Sequence, residues 1–201
     1  MSSKIDSFIV AAANNMFEKM QLLLDEGIDI NGKSSITEAT ALSVAAEYCS
    51  IRSVNFLLEK GADIDIPGES DMTPLMYACS RGKVKGSKIA LRLIMGGANV
   101  SYVRQADDMT ALKFAVEDCH PEVITALVKA GADVNGPSET DITPLMLAAR
   151  ANNIDTIKAL IENGADPLLK CKLSWAENRT AQELAELEKR KKAATYLASL
   201  S

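Results

Sequence analysis

The chain has 201 residues, 47% of them hydrophobic and 24% charged, with a formal net charge of −5. This is material for one ordinary domain or two very small ones. The acidic balance argues against non-specific binding to nucleic acid or anionic membrane, which requires clustered Lys and Arg.

Aromatic residues make up only 4% of the chain, so a core must be built from Ala, Leu, Ile and Val. Such a composition suits closely packed helices better than sheets. No apolar run approaches the ~20 residues of a transmembrane helix. The first ten residues carry Lys4 and Asp6 around a short apolar stretch, which is no secretory signal. Cys49, Cys79, Cys119 and Cys171 show no CxxC spacing, and a chain of this size needs no stapling. A reducing cytoplasm is the expected setting.

Two motifs recur along the chain. After a first unit beginning near Asp6 and closing on Gly27-Ile28-Asp29, Thr40-Ala41-Leu42 runs into Ala45-Ala46 and ends at Gly61-Ala62-Asp63. Thr73-Pro74-Leu75-Met76-Tyr77-Ala78-Cys79 leads to Gly97-Ala98-Asn99, and Thr110-Ala111-Leu112 leads to Gly131-Ala132-Asp133. Thr143-Pro144-Leu145-Met146-Leu147-Ala148-Ala149 leads to Gly164-Ala165-Asp166, and a last copy starts at Thr180-Ala181-Gln182. The Thr positions lie 33 to 37 residues apart.

Each unit has a physical reading. Thr is a good N-cap, and Pro74 and Pro144 fall at the first helical position, where the missing N–H costs nothing. A short helix follows, with Ala where a neighbouring backbone must come close. A second helix carries an apolar pair near its end: Leu57-Leu58, Leu93-Ile94, Leu127-Val128 and Leu160-Ile161. The glycine after it supplies the left-handed residue that stops the helix, and a polar turn rich in Asp, Ser and Gly completes the unit. One unit cannot bury its own apolar face, whereas stacked units can.

A period near 33 with TPLxxAA and GAD signatures resembles the ankyrin repeat. The resemblance covers essentially the whole chain, residues 1–201, as a single array of six units starting near residues 6, 40, 73, 110, 143 and 180. It implies an all-α solenoid of antiparallel helix pairs with hairpin-like loops projecting from it. The degenerate first and last units fit capping repeats. A start at Met1 and a finish just after the sixth unit lead to the expectation of a complete protein. The family's TPLH histidine is replaced by Ser43, Met76, Lys113 and Met146, so its hydrogen bonds between repeats are expected to be absent or remade. Three extra residues fall within Gly82-Lys83-Val84-Lys85-Gly86-Ser87-Lys88. About four more lie between Asp166 and Thr180, around Trp175. Both insertions are expected at the surface.

Catalytic chemistry finds little support. The single histidine, His120, sits where the family opens its second helix and is expected to cap it. With Asp118 and Cys119 it is the one place an enzyme site could be built. Cys119 and His120 alone make no metal site, since zinc takes about four ligands. Cys49, Cys79 and Cys119 fit buried small residues, which leaves Cys171 as the cysteine to test for reactivity. The segment from Gly82 to Lys88 does not match GxxxxGK[ST] and is expected to be a flexible basic loop. The sequons at Asn99 and Asn178 carry no meaning without a secretory signal. Lys189-Arg190-Lys191-Lys192 fits a solvated turn, with a nuclear address as the alternative. No cofactor and no metal are expected.

Function is therefore expected to be recognition of another protein, by a monomer that binds neither nucleic acid nor membrane. The resemblance implies a partner along the loop tips and inner helices, the concave side. Just before the capping Thr stand Ala39, Met72, Met109, Ile142 and Arg179. Met72, Met109 and Ile142 form either a binding stripe or a row packed on neighbouring loops. At the ends of the first helices, Tyr48, Arg81, Asp118 and Arg150 complete the candidate partner-binding set. Glu69, Asp107, Glu117, Asp118 and Glu139 make the face acidic, so the expected partner has an apolar ridge flanked by Lys or Arg. A scaffold and a dedicated inhibitor or immunity-type protein that blocks one enzyme are the competing forms of this function.

Overall fold

The computed structural model describes residues 3–118, 120–136, 142–171, 173, 176 and 178–200. Cys119, Glu139, Asp141 and Trp175 lie outside the described residues, as do the side chains of Lys83 and Asp118. The chain divides into two compact units, Met1–Asn99 and Val100–Ser201.

The first unit holds three helix pairs. They are α1 (Lys4–Ala13) with α2 (Phe17–Asp25), α3 (Ala41–Glu47) with α4 (Ile51–Glu59), and α5 (Pro74–Cys79) with α6 (Ser87–Met95). The first helices pack side by side, α1 on α3 and α3 on α5, and α4 packs on α6 behind them. Small residues allow this approach: Ala11, Ala12, Ala45, Ala46 and Ala78 are buried between helices, while Leu57 and Leu93 fill the space behind them.

The second unit repeats the pattern. It pairs α7 (Ala111–Asp118) with α8 (Pro121–Lys129), α9 (Pro144–Arg150) with α10 (Ile154–Glu162), and α11 (Ala181–Leu187) with α12 (Lys191–Ala198). Again the first helices form one row, α7 on α9 and α9 on α11, and the second helices another. A two-residue antiparallel ladder joins β1 (Val103–Arg104) to β2 (Met109–Thr110), with Val103 opposite Thr110.

The expected punctuation is present. Thr40, Thr73, Thr143 and Thr180 cap their helices by accepting the N–H three residues on, and Thr110 accepts from Lys113. Gly61 and Gly131 stop their second helices at φ +85° and +103°, a region where an added side chain is strained whatever the space. Asn31, Asp65 and Asn135, four residues beyond such glycines, tie each turn to the next. Asn31 Oδ1 accepts from Asp63 N at 2.9 Å, Asp65 Oδ1 from Asn99 N at 2.8 Å, and Asn135 Oδ1 from Asp166 N at 2.9 Å.

Within the repeats, the N–H of the capping threonine is taken up by the side chain three residues on. Thr40 N–H donates to Ser43 Oγ at 3.0 Å, Thr143 N–H to Met146 Sδ at 3.4 Å, and Thr180 N–H to Glu183 Oε2 at 2.7 Å. Lys113 is 1% exposed and reaches back to donate to the Asp108 carbonyl at 3.0 Å. Burial pushes its ammonium below the ordinary lysine value, opposed by the charges of Asp108 and Asp107.

Several expectations are corrected. Cys171 is fully buried, because its N–H donates to the Arg179 carbonyl and draws this part of the long loop inward. Ala176 is buried beside the same loop, while Leu168 and Leu169 stay exposed. Cys49 is only half-buried and stands in the left-handed region, φ 56°, in the turn between α3 and α4. His120 occupies the N-cap position of α8, but its side chain makes no capping hydrogen bond. The first insertion is a π-helical turn, Gly82–Gly86, running directly into α6, instead of a flexible loop.

Candidate protein-binding site

In the first unit, α1, α3 and the loop between α2 and α3 enclose an open groove of about 760 Å³. Asp6, Ile9, Val10 and Ala13 line one wall at the three- and four-residue spacing that puts them on one face of α1. Val44, Glu47 and Tyr48 from α3 line the other, and Ser34, Ser35, Ile36 and Thr37 close the end nearest the helix N-termini. Glu69, from a short helical turn before α5, joins them at that end.

The groove keeps large apolar groups in water. Ile36 is 83% exposed, Tyr48 66% and Val10 53%. A solvent-facing apolar cluster in a concave site is the ordinary form of a recognition surface. Its charge is acidic. Asp6 is held below the usual carboxylate range by hydrogen bonds from Ser3 and Ser34, and so stays ionised at neutral pH. Glu47 at the opposite end is paired with the Arg81 guanidinium, Nη2 to Oε1 at 2.5 Å.

The expected partner-binding residues fall in different surroundings. Tyr48 stands at the C-cap of α3 and lines the groove, and Arg81 is exposed and holds Glu47. Met72 and Ile142 are half-buried directly before their capping threonines, and Met109 is half-buried in β2. Arg150, the last residue of α9, is half-buried, and its Nε donates to Glu188 Oε1 at 2.6 Å. Asp118 ends α7.

Sequence reasoning passed over Ile36 and Val10. Ile36 was detectable as an isolated aliphatic residue in the polar run Ser34-Ser35-Ile36-Thr37-Glu38. Val10 belongs to an all-apolar stretch of the degenerate first unit, where nothing marks which residue faces water.

Comparison with known proteins agrees with the architecture. A family model described as ankyrin repeats in three copies matches residues 8–103 and again 84–171. The chain is 33% identical to the ankyrin repeat and KH domain-containing protein mask-1 of Caenorhabditis elegans, over 75% of this chain and 7% of that protein. It is 29% identical to neurogenic locus notch homolog protein 1 of Xenopus tropicalis, over 71% of this chain and 6% of that one. The matched region is therefore a small part of these much longer relatives. Among solved structures, a chain from the complex of the Bd0816 predatory endopeptidase of Bdellovibrio bacteriovorus with immunity protein Bd3460 superposes with a TM-score of 0.85. That match has 25% identity and covers all of both chains. Ankyrin repeats are protein–protein interaction modules. With stacked helix pairs, Thr-capped first helices and glycine-stopped second helices all in phase, the chain belongs to the ankyrin-repeat family.

Proposed function

We propose that the chain is a non-enzymatic binding module that holds a partner protein in the groove between α1 and α3. The observation that carries this reading is the cluster of Ile36, Tyr48 and Val10, large apolar side chains left in water at a concave site. A preformed site on packed helices loses little ordering entropy when the partner docks. Further candidate contacts in this reading are Met72 and Arg81 of the first unit and, separately, Met109, Asp118, Ile142 and Arg150 of the second. The partner is a protein with an apolar anchor flanked by Lys or Arg, which complements Asp6 and Glu69. Enzyme chemistry has little to draw on, since the chain offers one imidazole, His120. The proposed setting is the cytoplasm, where unspaced cysteines persist as thiols.

A second reading, a dedicated inhibitor of one enzyme, draws support from the structural likeness to a chain of an endopeptidase–immunity protein complex. Capture from lysate on the wild-type chain, with Ile36→Glu/Tyr48→Ala as the control, tests the groove. The expected result is a partner held by the wild type and lost by the variant, with the same circular dichroism for both. Retention by the variant contradicts the groove reading. Titrating the purified partner then separates the two forms of the function. An enzyme silenced at a 1:1 ratio is the inhibitor's signature, and a partner whose activity is untouched is the scaffold's.

A further inference from the structure

In the second unit, α11 and α12 enclose a groove of about 430 Å³, lined by Lys189, Arg190 and Lys191 together with Ala185 and Ala194. Glu186 is the acid in that lining. The register of the repeat identifies the surface. Counted from the capping Thr, Glu186 and Ala194 stand where α3 and α4 have Ala46 and Val54, and where α9 and α10 have Ala149 and Ile157. Those four are fully buried, in units on which a further helix pair packs. Here an exposed carboxylate occupies the site of a buried alanine, so the face is suited to water and not to another repeat.

A polar cover accounts for solubility but not for the sign of the charge. Lys189 holds the left-handed turn, φ 58°, that Asn15 and Asn152 hold in other units at 56° and 55°. Asn15 Oδ1 accepts from Ser53 N and Oγ, and Asn152 Oδ1 from Ala193 N, so the position ordinarily hands an acceptor to a neighbouring helix. An ammonium offers donors only. Lys192, the second residue of α12, stands where α2, α8 and α10 have Glu18, Glu122 and Asp155. Acids suit the start of a helix and cations oppose it, yet α12 has no acid in its first turn. The local structure therefore gains nothing from these cations. Neither Lys189 nor Lys191 meets an acid within ion-pair distance among the described residues, and Arg190 meets Glu188 only at 3.7 Å.

We infer that the groove between α11 and α12 is a docking surface for an acidic segment of a partner protein. Asp and Glu of the segment meet Lys189, Arg190 and Lys191 in charge-assisted hydrogen bonds, and the small side chains of Ala185 and Ala194 let its backbone come close. Charge selects a protein over a polyphosphate. Glu186 in the lining, Glu188 beside Arg190 and the net charge of −5 all repel a nucleic acid or an anionic membrane, whereas a peptide can turn a donor toward Glu186. The surface belongs to the second unit and takes the opposite charge from the acidic groove of the first, so the inference stands independently of that groove.

The test selects a displayed library of random 12-residue peptides on the immobilised full chain, with counter-selection on Lys189→Glu/Lys191→Glu, and then measures binding of the synthesised consensus peptide. The expected consensus is rich in Asp and Glu. The double variant should weaken it about tenfold, Lys189→Gln/Lys191→Gln should weaken it less, and Ile36→Glu in the other unit should leave it unchanged. Raising salt should weaken it too, and replacing the peptide's acids by Lys should restore binding to the Glu variant but not to the wild type. Both substituted side chains are exposed, so circular dichroism should match the wild type, and the Gln variant serves if the Glu variant's spectrum does not. No enrichment, a consensus without acids, or equal binding by wild type and variants overturns the inference. Single-stranded DNA or phosphatidylserine vesicles held more tightly than the peptide at the same salt, and lost by the same variants, would overturn the assignment to a protein.

Discussion

The two compact units contain the same ion pair with its signs exchanged. In the first, Glu47, seven residues after its capping Thr40, meets Arg81, eight after Thr73. In the second, Arg150, seven after Thr143, meets Glu188, eight after Thr180. The register of the repeat brings these positions together, and the fold demands only that the charges be opposite. Which sign stands where is left open, and the two units have used that freedom differently. The first puts its cation at the head of the basic segment that goes on to Lys85 and Lys88, and its acid, Glu47, on the groove wall. The second puts its acid at the head of the basic run Lys189-Arg190-Lys191-Lys192, where Glu188 also faces Arg190 at 3.7 Å.

The largest expected effect asks whether the two units share one stability. Leu57 and Leu127 occupy the same repeat position, 17 residues after Thr40 and Thr110, and both are fully buried. Truncating either to Ala should cost about 2–5 kcal/mol, read by urea denaturation. Equal shifts of a single transition would mark one cooperative array, and a shift confined to part of the transition would mark two units that melt apart.

A second difference lies at the position three after the capping Thr. Met76 in the first unit and Met146 in the second are fully buried, and Lys113 shares their site. Lys113→Met should therefore stabilise the fold, by about 1–2 kcal/mol, because a buried ammonium is replaced by an apolar side chain already accepted there. The pH dependence has a definite sign. The folded chain releases this proton at lower pH than the unfolded chain, so the unfolded state binds more protons in the alkaline window between the two values. Wild-type stability from this group rises with pH across that window, and the advantage of Lys113→Met shrinks there. A constant advantage across that window would contradict the assignment.

The smallest effect is that of the ion pairs themselves. Glu47→Arg and Arg81→Glu should each cost under about 1 kcal/mol, and the double exchange should recover most of the loss. The same cycle on Arg150 and Glu188 should give a coupling of equal sign.

The fold was largely legible, because its determinants are local: a capping Thr, a proline at the first helical turn, a glycine at the helix stop and a row of alanines all act within one repeat. Departures came where distant contacts decide. Cys171 sits in a polar loop by sequence, yet a hydrogen bond to the Arg179 carbonyl draws it into the interior. The lysine-rich insertion reads as a loose loop until Gly86 is seen pressed against Ala78. The groove was half legible. Tyr48 and Arg81 follow from repeat phase. Ile36 and Val10 belong to the degenerate first unit, where the motif that would assign their faces has worn away.

The most direct test of the central claim is calorimetric titration of the captured partner into the wild-type chain and into Ile36→Glu/Tyr48→Ala. The groove account predicts a loss of at least thirtyfold in affinity, the scale of a binding hot spot, with the melting temperature of the chain unchanged. An affinity within twofold of wild type would contradict it and move the contact away from the groove.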